Sequence, residues 1–169
     1  MRVDGVGRAE DVLTDAPAIG GATFESFYRS HRTRLVGLAY AISGSRLGAD
    51  DLVHDVLEAA YLDWDRLQEL DDPAAWVRRM VANRAVSAYR RRHSEAKAVA
   101  RLAIRLEAST LPELSADADR IWSEVRRLPR RQAQVVALKY VEQLTMTEIG
   151  AVLECSKESV NTHLRRARG

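Results

Sequence analysis

The sequence predicts an all-α protein built as two small helical units joined by a linker. Three observations support that expectation. No segment sustains the alternation of period two that a strand needs. Several segments repeat apolar residues at steps of three and four. Between about His93 and Asp117 this periodicity fades into a mixture of Ala, Arg and Glu ending in "STLPELSADAD", the composition of a connection between units. The expected layout is a mobile tail over 1–22, a first unit over 23–93, a linker over 94–117 and a second unit over 118–169.

In the first unit, Phe24, Phe27, Tyr28, His31, Leu35, Leu38 and Ile42 line one stripe of a first helix. "SGSRLGAD" breaks it, with Gly44 and Gly48 as turn residues. A second helix is expected from about Ala49, with Leu52, Val53, Val56, Leu57, Ala60, Tyr61 and Trp64 inside and acids outside. "QELDDP" reads as a polar loop. Asp72 can cap a third helix with Pro73 at its first position. Its inner face is Trp76, Val77, Met80, Val81, Ala85, Ala88 and Tyr89, and its outer face is arginine. In the second unit, Ile121, Trp122 and Val125 mark the inside of a helix from about Ala118, and "LPRRQAQVVALKYVEQL" starts another at Pro129.

The last stretch, "LTMTEIGAVLECSKESVNTHLRRAR", has the spacing of two short helices crossing at a tight break. Thr145 and Glu148 form a capping box ahead of Ile149, Val152 and Leu153. Ser156 caps the final helix, whose inward residues are Val160 and Leu164. A break of about three residues forces a steep crossing, as in a helix-turn-helix. The expected outer face holds Lys157, Asn161, Thr162, His163, Arg165 and Arg166, side chains able to donate to phosphates or base edges in a major groove. Glu158 falls in the first turn, where an acid favours the positive helix end. A surface hairpin with a solvated charged face is the plain alternative.

Charge distribution says more than the net charge of +2 over 169 residues. Acids dominate from Asp50 to Asp72, bases dominate from Arg78 to Arg92, and the last stretch holds Arg165, Arg166 and Arg168. Two separate basic segments with an acidic surface between them suggest two polyanion contacts and a third face for another partner. Arg79, Asn83, Ser87 and Arg90 share one ridge of the third helix at steps of three and four. Arginines suit phosphates, and Asn and Ser can reach base edges. A solvated basic face is the competing reading.

Catalytic and cofactor chemistry is not written in the sequence, and no cofactor is expected. The chain lacks a phosphate-cradling glycine loop and a nucleophile motif. The four histidines are scattered, and Cys155 is the single cysteine, in keeping with a reducing cytoplasm. A metal site at Asp51, His54 and Asp55 competes with an acidic solvated helix face, and the face is the simpler reading. The N-terminal stretch has no apolar core of a secretory signal, and no run approaches the length of a membrane span.

"ADDLVHDVLEAAYLDWDRL", "DDPAAWVRRMVANRAVSAYRRR" and "RLPRRQAQVVALKYVEQLTMTEIGAVLECSKESVNTHLRRAR", in that order, closely resemble the bacterial extracytoplasmic-function (ECF) sigma factors of the sigma-70 family. The resemblance covers roughly residues 22–93 and 115–168. It implies a sigma region 2 unit and a sigma region 4 unit, with no enzymatic activity. Asp51, Leu52, His54, Asp55 and Val56 match the segment that grips the clamp helices of the polymerase β′ subunit. "QELDDP" matches the loop that captures a flipped −10 base. Asn83 and Ser87 match −10 base readers and Arg79 and Arg84 backbone contacts, and the same basic face extends to Arg90 and Arg91. The last helix matches the −35 reader. Implied partners are the β and β′ subunits of core RNA polymerase, promoter DNA and an anti-sigma factor.

This sequence departs from the family at Ser87, where many relatives carry an acid or Asn. It departs again at Glu158-Ser159-Val160-Asn161-Thr162-His163, where two expected basic positions are neutral. The chain stops at Gly169, inside what relatives continue as helix. Two other readings are a stand-alone helix-turn-helix regulator, which predicts a dimer on palindromic half-sites, and a helical enzyme or metal-binding protein using Asp51, His54 and Asp55.

Overall fold

The computed structural model describes residues 23–100 and 116–168, so the expected tail over 1–22 and most of the expected linker lie outside the described residues. The described residues form helices and no strand. In chain order these are α1 (Phe24–Ser43), α2 (Arg46–Leu62), α3 (Trp64–Leu67), α4 (Pro73–Ala100), α5 (Ala116–Arg127), α6 (Arg130–Tyr140), α7 (Met146–Leu153) and α8 (Lys157–Ala167).

Thr23 caps α1 by accepting from the Ser26 N–H at 3.3 Å. Phe27, Leu35, Leu38 and Ile42 then bury one stripe against α2 and α4. The helix stops at Gly44, which takes φ +74° and returns its N–H to Tyr40 O at 2.7 Å. Only glycine reaches that conformation without strain. A Cβ there would also sit 3.0 Å from Arg126 Nε, so the turn leaves room for a side chain of the second unit.

Ser45, not a residue near Ala49, starts α2: its Oγ accepts from the Gly48 N–H at 3.1 Å. Gly48 is therefore a first-turn helical residue and not the turn glycine expected. A hydroxyl three residues ahead of an orphan N–H outweighs the helix penalty of one glycine. The chain breaks again at Asp63, so Trp64 opens the short α3 instead of ending α2. Trp64 packs with Phe24 and Phe27 at ring-centroid distances of 5.4 and 5.0 Å.

Asp72 caps α4 as expected, accepting from the Ala75 N–H at 2.9 Å. The helix runs seven residues past His93, where the sequence places the end of the first unit. "SEAKAVA" contains strong helix formers and nothing that stops a helix. Val77, Val81, Ala82, Ala85 and Val86 are its buried face. In the second unit Ile121 is 64% exposed, against its expected place inside, and α5 packs on α1 and α6 through its other side. The buried apolar residues of both units form one continuous cluster, from Phe27 through Val81 to Leu164.

Candidate nucleic-acid interface

The helix-turn-helix is built from three local devices. Thr145 Oγ1 accepts from the Glu148 N–H at 3.3 Å while Glu148 Oε2 accepts from the Thr145 N–H at 2.7 Å, the reciprocal capping box expected for α7. These bonds from Thr145 hold the Glu148 carboxyl below its ordinary range. The turn itself depends on Gly150, because a Cβ there would lie 2.7 Å from the Cys155 carbonyl oxygen. Glu154 closes α7 in the left-handed region at φ 52°, and Ser156 caps α8 by accepting from the Ser159 N–H at 3.2 Å. Cys155 is half-buried in this turn, consistent with a small packing residue.

Val160 and Leu164 are buried under α8, as the sequence requires. Lys157, Asn161, Arg165 and Arg166 are exposed. Thr162 and His163 are half-buried and stand at the edge of the outer face instead of on it. His163 Nδ1 is turned inward without a hydrogen-bond partner among the described residues. Glu158 is exposed in the first turn of α8.

On the first unit, the exposed part of α4 carries Arg84, Ser87, Arg90 and Arg91. Ser87 Oγ donates back to Asn83 O at 3.0 Å. Asn83 and Arg79, expected on the same free ridge, are instead half-buried and engaged by the second unit. Asn83 Oδ1 accepts from Arg130 Nη2 at 2.6 Å and from Gln134 Nε2 at 2.8 Å, and Arg79 pairs with Glu154. Arg130, Gln134, Glu142 and Glu154 received no role from the sequence. The one available signal was Gln134, a polar residue inside the apolar run of its helix and fully buried in the structure.

Along α2, Asp51, His54 and Asp55 are exposed, whereas Leu52 and Val56 are core residues, 9% and 1% accessible. Helical period explains the split: positions 52 and 56 are one turn apart and face α1 and α4. They support the acidic surface and do not form it. A cleft of about 550 Å³ between α2 and α4 has Asp51 and Asp55 on one wall and Asn83, Arg84, Ser87 and Arg91 on the other. Among the described residues no three His, Cys, Asp or Glu side chains gather as a metal site, and no helix is long and apolar enough to cross a membrane.

Two helical units, one bearing an arginine-faced helix and the other a helix-turn-helix, define the architecture of a two-module nucleic-acid-binding protein. The Sigma-70 region 2 profile matches residues 27–95 and the Sigma-70 region 4 profile matches residues 118–169. The chain belongs to the sigma-70 family, among its ECF members, which are transcription initiation factors. It is 21% identical over 151 residues to the ECF RNA polymerase sigma factor SigW of Bacillus subtilis, covering 82% of this chain and 81% of that one. It is 28% identical over 145 residues to the RNA polymerase sigma-E factor of Streptomyces antibioticus, covering 85% and 79%. Among solved structures it is similar to CnrH in complex with the cytosolic domain of CnrY, with a TM-score of 0.63, 25% identity and coverage of 86% and 82%. The fold is also that of the sigma factor RpoE in complex with the anti-sigma factor NepR from Bartonella quintana, with a TM-score of 0.64, 19% identity and coverage of 85% and 92%.

Proposed function

We propose that the protein binds core RNA polymerase in the cytoplasm and directs initiation at promoters with two elements, read by α4 and α8. The observation that carries this reading is the presence of two cation-bearing helix faces on separate units of one chain: Arg84, Arg90 and Arg91 on α4, and Arg165 and Arg166 on α8. Arg79, Asn83, Arg84, Ser87, Arg90 and Arg91 are assigned to the −10 element. Lys157, Asn161, Thr162, His163, Arg165 and Arg166 are assigned to the −35 element. The exposed acids Asp51 and Asp55, with His54 between them, are assigned to the polymerase β′ subunit, and Leu52 and Val56 hold that surface from beneath.

The chemistry supports a division of labour. Polymerase core supplies catalysis, so the subunit needs none. Two readers on a tether bind as one because the first contact raises the effective concentration of the second. Opening the duplex requires a site for an unstacked base, which captures part of the melting cost, and the exposed Gln68–Asp72 loop is assigned that part. An anti-sigma protein is proposed as a further partner, on the strength of the family and of the neighbour solved with NepR.

In vitro transcription with core enzyme on a pool of randomised promoters tests the reading. Enrichment of one −10/−35 pair at fixed spacing is expected. No gain in selectivity over core enzyme alone refutes it.

A further inference from the structure

One serine stands behind two adjacent arginines near the end of α4: "RRHS", Arg91 to Ser94. No other Ser or Thr of the chain follows an Arg-Arg pair with one residue between. Arginine two and three positions before the acceptor is the spacing that arginine-directed serine kinases bind, because acidic side chains of their substrate groove pair with both guanidinium groups. Ser94 is also accessible. Val86 is the last buried residue before this stretch, and every residue from Arg90 to Ala96 is exposed. Outside its own helix, and among the described residues, the stretch makes one hydrogen bond, from Arg92 to the Ser43 carbonyl oxygen. A helical segment with so little tertiary packing unwinds at small cost, so it can enter a groove that takes an extended chain.

We propose that Ser94 is a phosphorylation site for an arginine-directed serine kinase, and that its phosphate withdraws Arg90 and Arg91 from the DNA backbone. The inference rests on the assignment of those two arginines to the −10 element. In the transfer, Ser94 Oγ bonds to the γ-phosphorus of a nucleoside triphosphate. The bond from that phosphorus to its bridging oxygen breaks, the diphosphate leaves, and the general base of the kinase takes the hydroxyl proton.

Residues three and four apart share a helix face, so Ser94 stands beside Arg91 and Arg90. Arg91 Nε already reaches along α4 to Glu95 Oε1, at 3.9 Å, with the two side chains 74% and 64% exposed. A pair that long and that wet yields to a stronger anion. A phosphate brings about two negative charges and three acceptor oxygens, where Glu95 offers one carboxylate. A guanidinium neutralised within the helix face releases no counterion when DNA arrives, so its share of the binding is lost. The Ser94 hydroxyl has no assigned contact with DNA or polymerase, and the unmodified chain keeps its reader intact.

The test treats the full chain with ATP and the catalytic subunit of a cyclic-nucleotide-dependent protein kinase, an arginine-directed enzyme, and maps phosphate by peptide mass spectrometry. Phosphate is expected on Ser94. Its absence there overturns the proposal, and so does its placement instead on Ser87 or Ser123, which have arginine three positions before them but not two. Unmodified and phosphorylated chains, both checked for folding by circular dichroism, then bind a random-sequence DNA single strand across a salt series. Phosphorylation is expected to weaken binding at least about tenfold near ~0.1 M salt and to flatten the slope of log K against log salt by about 1.4, for two contacts on a single strand. Ser94→Asp, with one charge, is expected to give about half that slope change and Ser94→Asn none. Ser94→Asp also carries the test if the phosphorylated chain does not stay folded. Equal slopes in all forms overturn the proposal. A change as large in Ser94→Asn as in Ser94→Asp overturns it too, because the effect is then structural. Transcription that never becomes promoter-selective counts against the proposed function, whereas selective transcription with a slope that phosphate leaves unchanged counts against this inference alone.

Discussion

Arg78 and Glu142 stand 64 positions apart in the chain and form a nearly dry ion pair, Nε to Oε2 at 2.8 Å. A buried pair of this kind is costly to break from one side and cheap to replace as a whole. Arg78→Ala leaves the Glu142 carboxylate enclosed by protein, and the expected loss is about 3–5 kcal/mol, capped by the cost of letting the units part. Arg78→Met combined with Glu142→Leu is expected to stay within about 1 kcal/mol of wild type or exceed it. Urea unfolding of both variants decides the matter. Equal losses in the two would show that the pair is not desolvated in solution.

Gly150 is the steric key of the helix-turn-helix. A methyl group there meets the Cys155 carbonyl oxygen at 2.7 Å, a backbone atom that cannot swing away. Gly150→Ala gains helix propensity of up to about 1 kcal/mol and loses about 1–3 kcal/mol to overpacking. A net destabilisation is expected, with weaker −35 binding because α8 is displaced relative to α7. A melting temperature at or above that of wild type contradicts the close approach.

The contrast between those two sites explains what the sequence makes legible. Local chemistry is readable: Asp72, Thr145, Glu148 and Ser156 act as caps at the positions their spacing implies. Buried stripes are readable too, since Leu35, Val81, Val160 and Leu164 fall where a period of 3.6 places them. Periodicity nevertheless gives a face and not its neighbour. Ile121 continues an apolar pattern yet is 64% exposed, whereas Leu52 and Val56 are buried as periodicity places them and not on the outer face that the resemblance gave them. Asn83 and Arg79 look like a solvated polar ridge because their partners come 47 to 75 positions later. Nothing in a polar residue's own surroundings announces a partner at that distance.

Glu148 makes the second unit sensitive to acid. Its carboxylate accepts from Thr145 in the folded chain, so its pKa lies below the usual glutamate value of 4.5. A depressed folded value means the contribution is present above about pH 4.5 and is lost as pH falls through the folded value. Thr145→Ala removes the hydroxyl that accepts from the Glu148 N–H and donates to Glu148 Oε2, while the backbone N–H at position 145 still reaches the carboxylate, with a loss of about 1 kcal/mol expected for the missing cap at neutral pH. The difference between wild type and Thr145→Ala should shrink as pH falls through that range. Thermal melts from neutral pH into acid test this, and a difference that grows with acid has the wrong sign.

Asn83→Ala and Asp55→Lys separate the two proposed faces of the first unit. Losing the Asn83 amide should relax preference at one −10 position by about 1–3 kcal/mol in selected promoters. The same change releases Arg130 and Gln134, so total DNA binding need not fall. Reversing the exposed Asp55 charge should weaken core polymerase binding by at least about tenfold, with the −10/−35 preference unchanged in whatever transcription remains. Normal core binding by Asp55→Lys would remove α2 from the polymerase contact.

The last prediction concerns how little cation α8 devotes to DNA. Of its outer residues, Lys157, Arg165 and Arg166 are exposed cations, and Asn161 and Thr162 are neutral. Under the proposed −35 assignment a helix of this composition makes few phosphate contacts, so its binding should depend weakly on salt. Each phosphate contact removed lowers the slope of log K against log salt by about 0.9. Arg165→Ala and Arg166→Ala should each flatten the slope by about one unit while weakening all −35 sequences alike. Asn161→Ala should leave the slope unchanged and alter sequence preference. Holoenzyme binding to promoter fragments across a salt series measures all three. If Asn161→Ala changes the slope and the two arginine variants do not, the assignment of base and phosphate contacts on α8 is reversed.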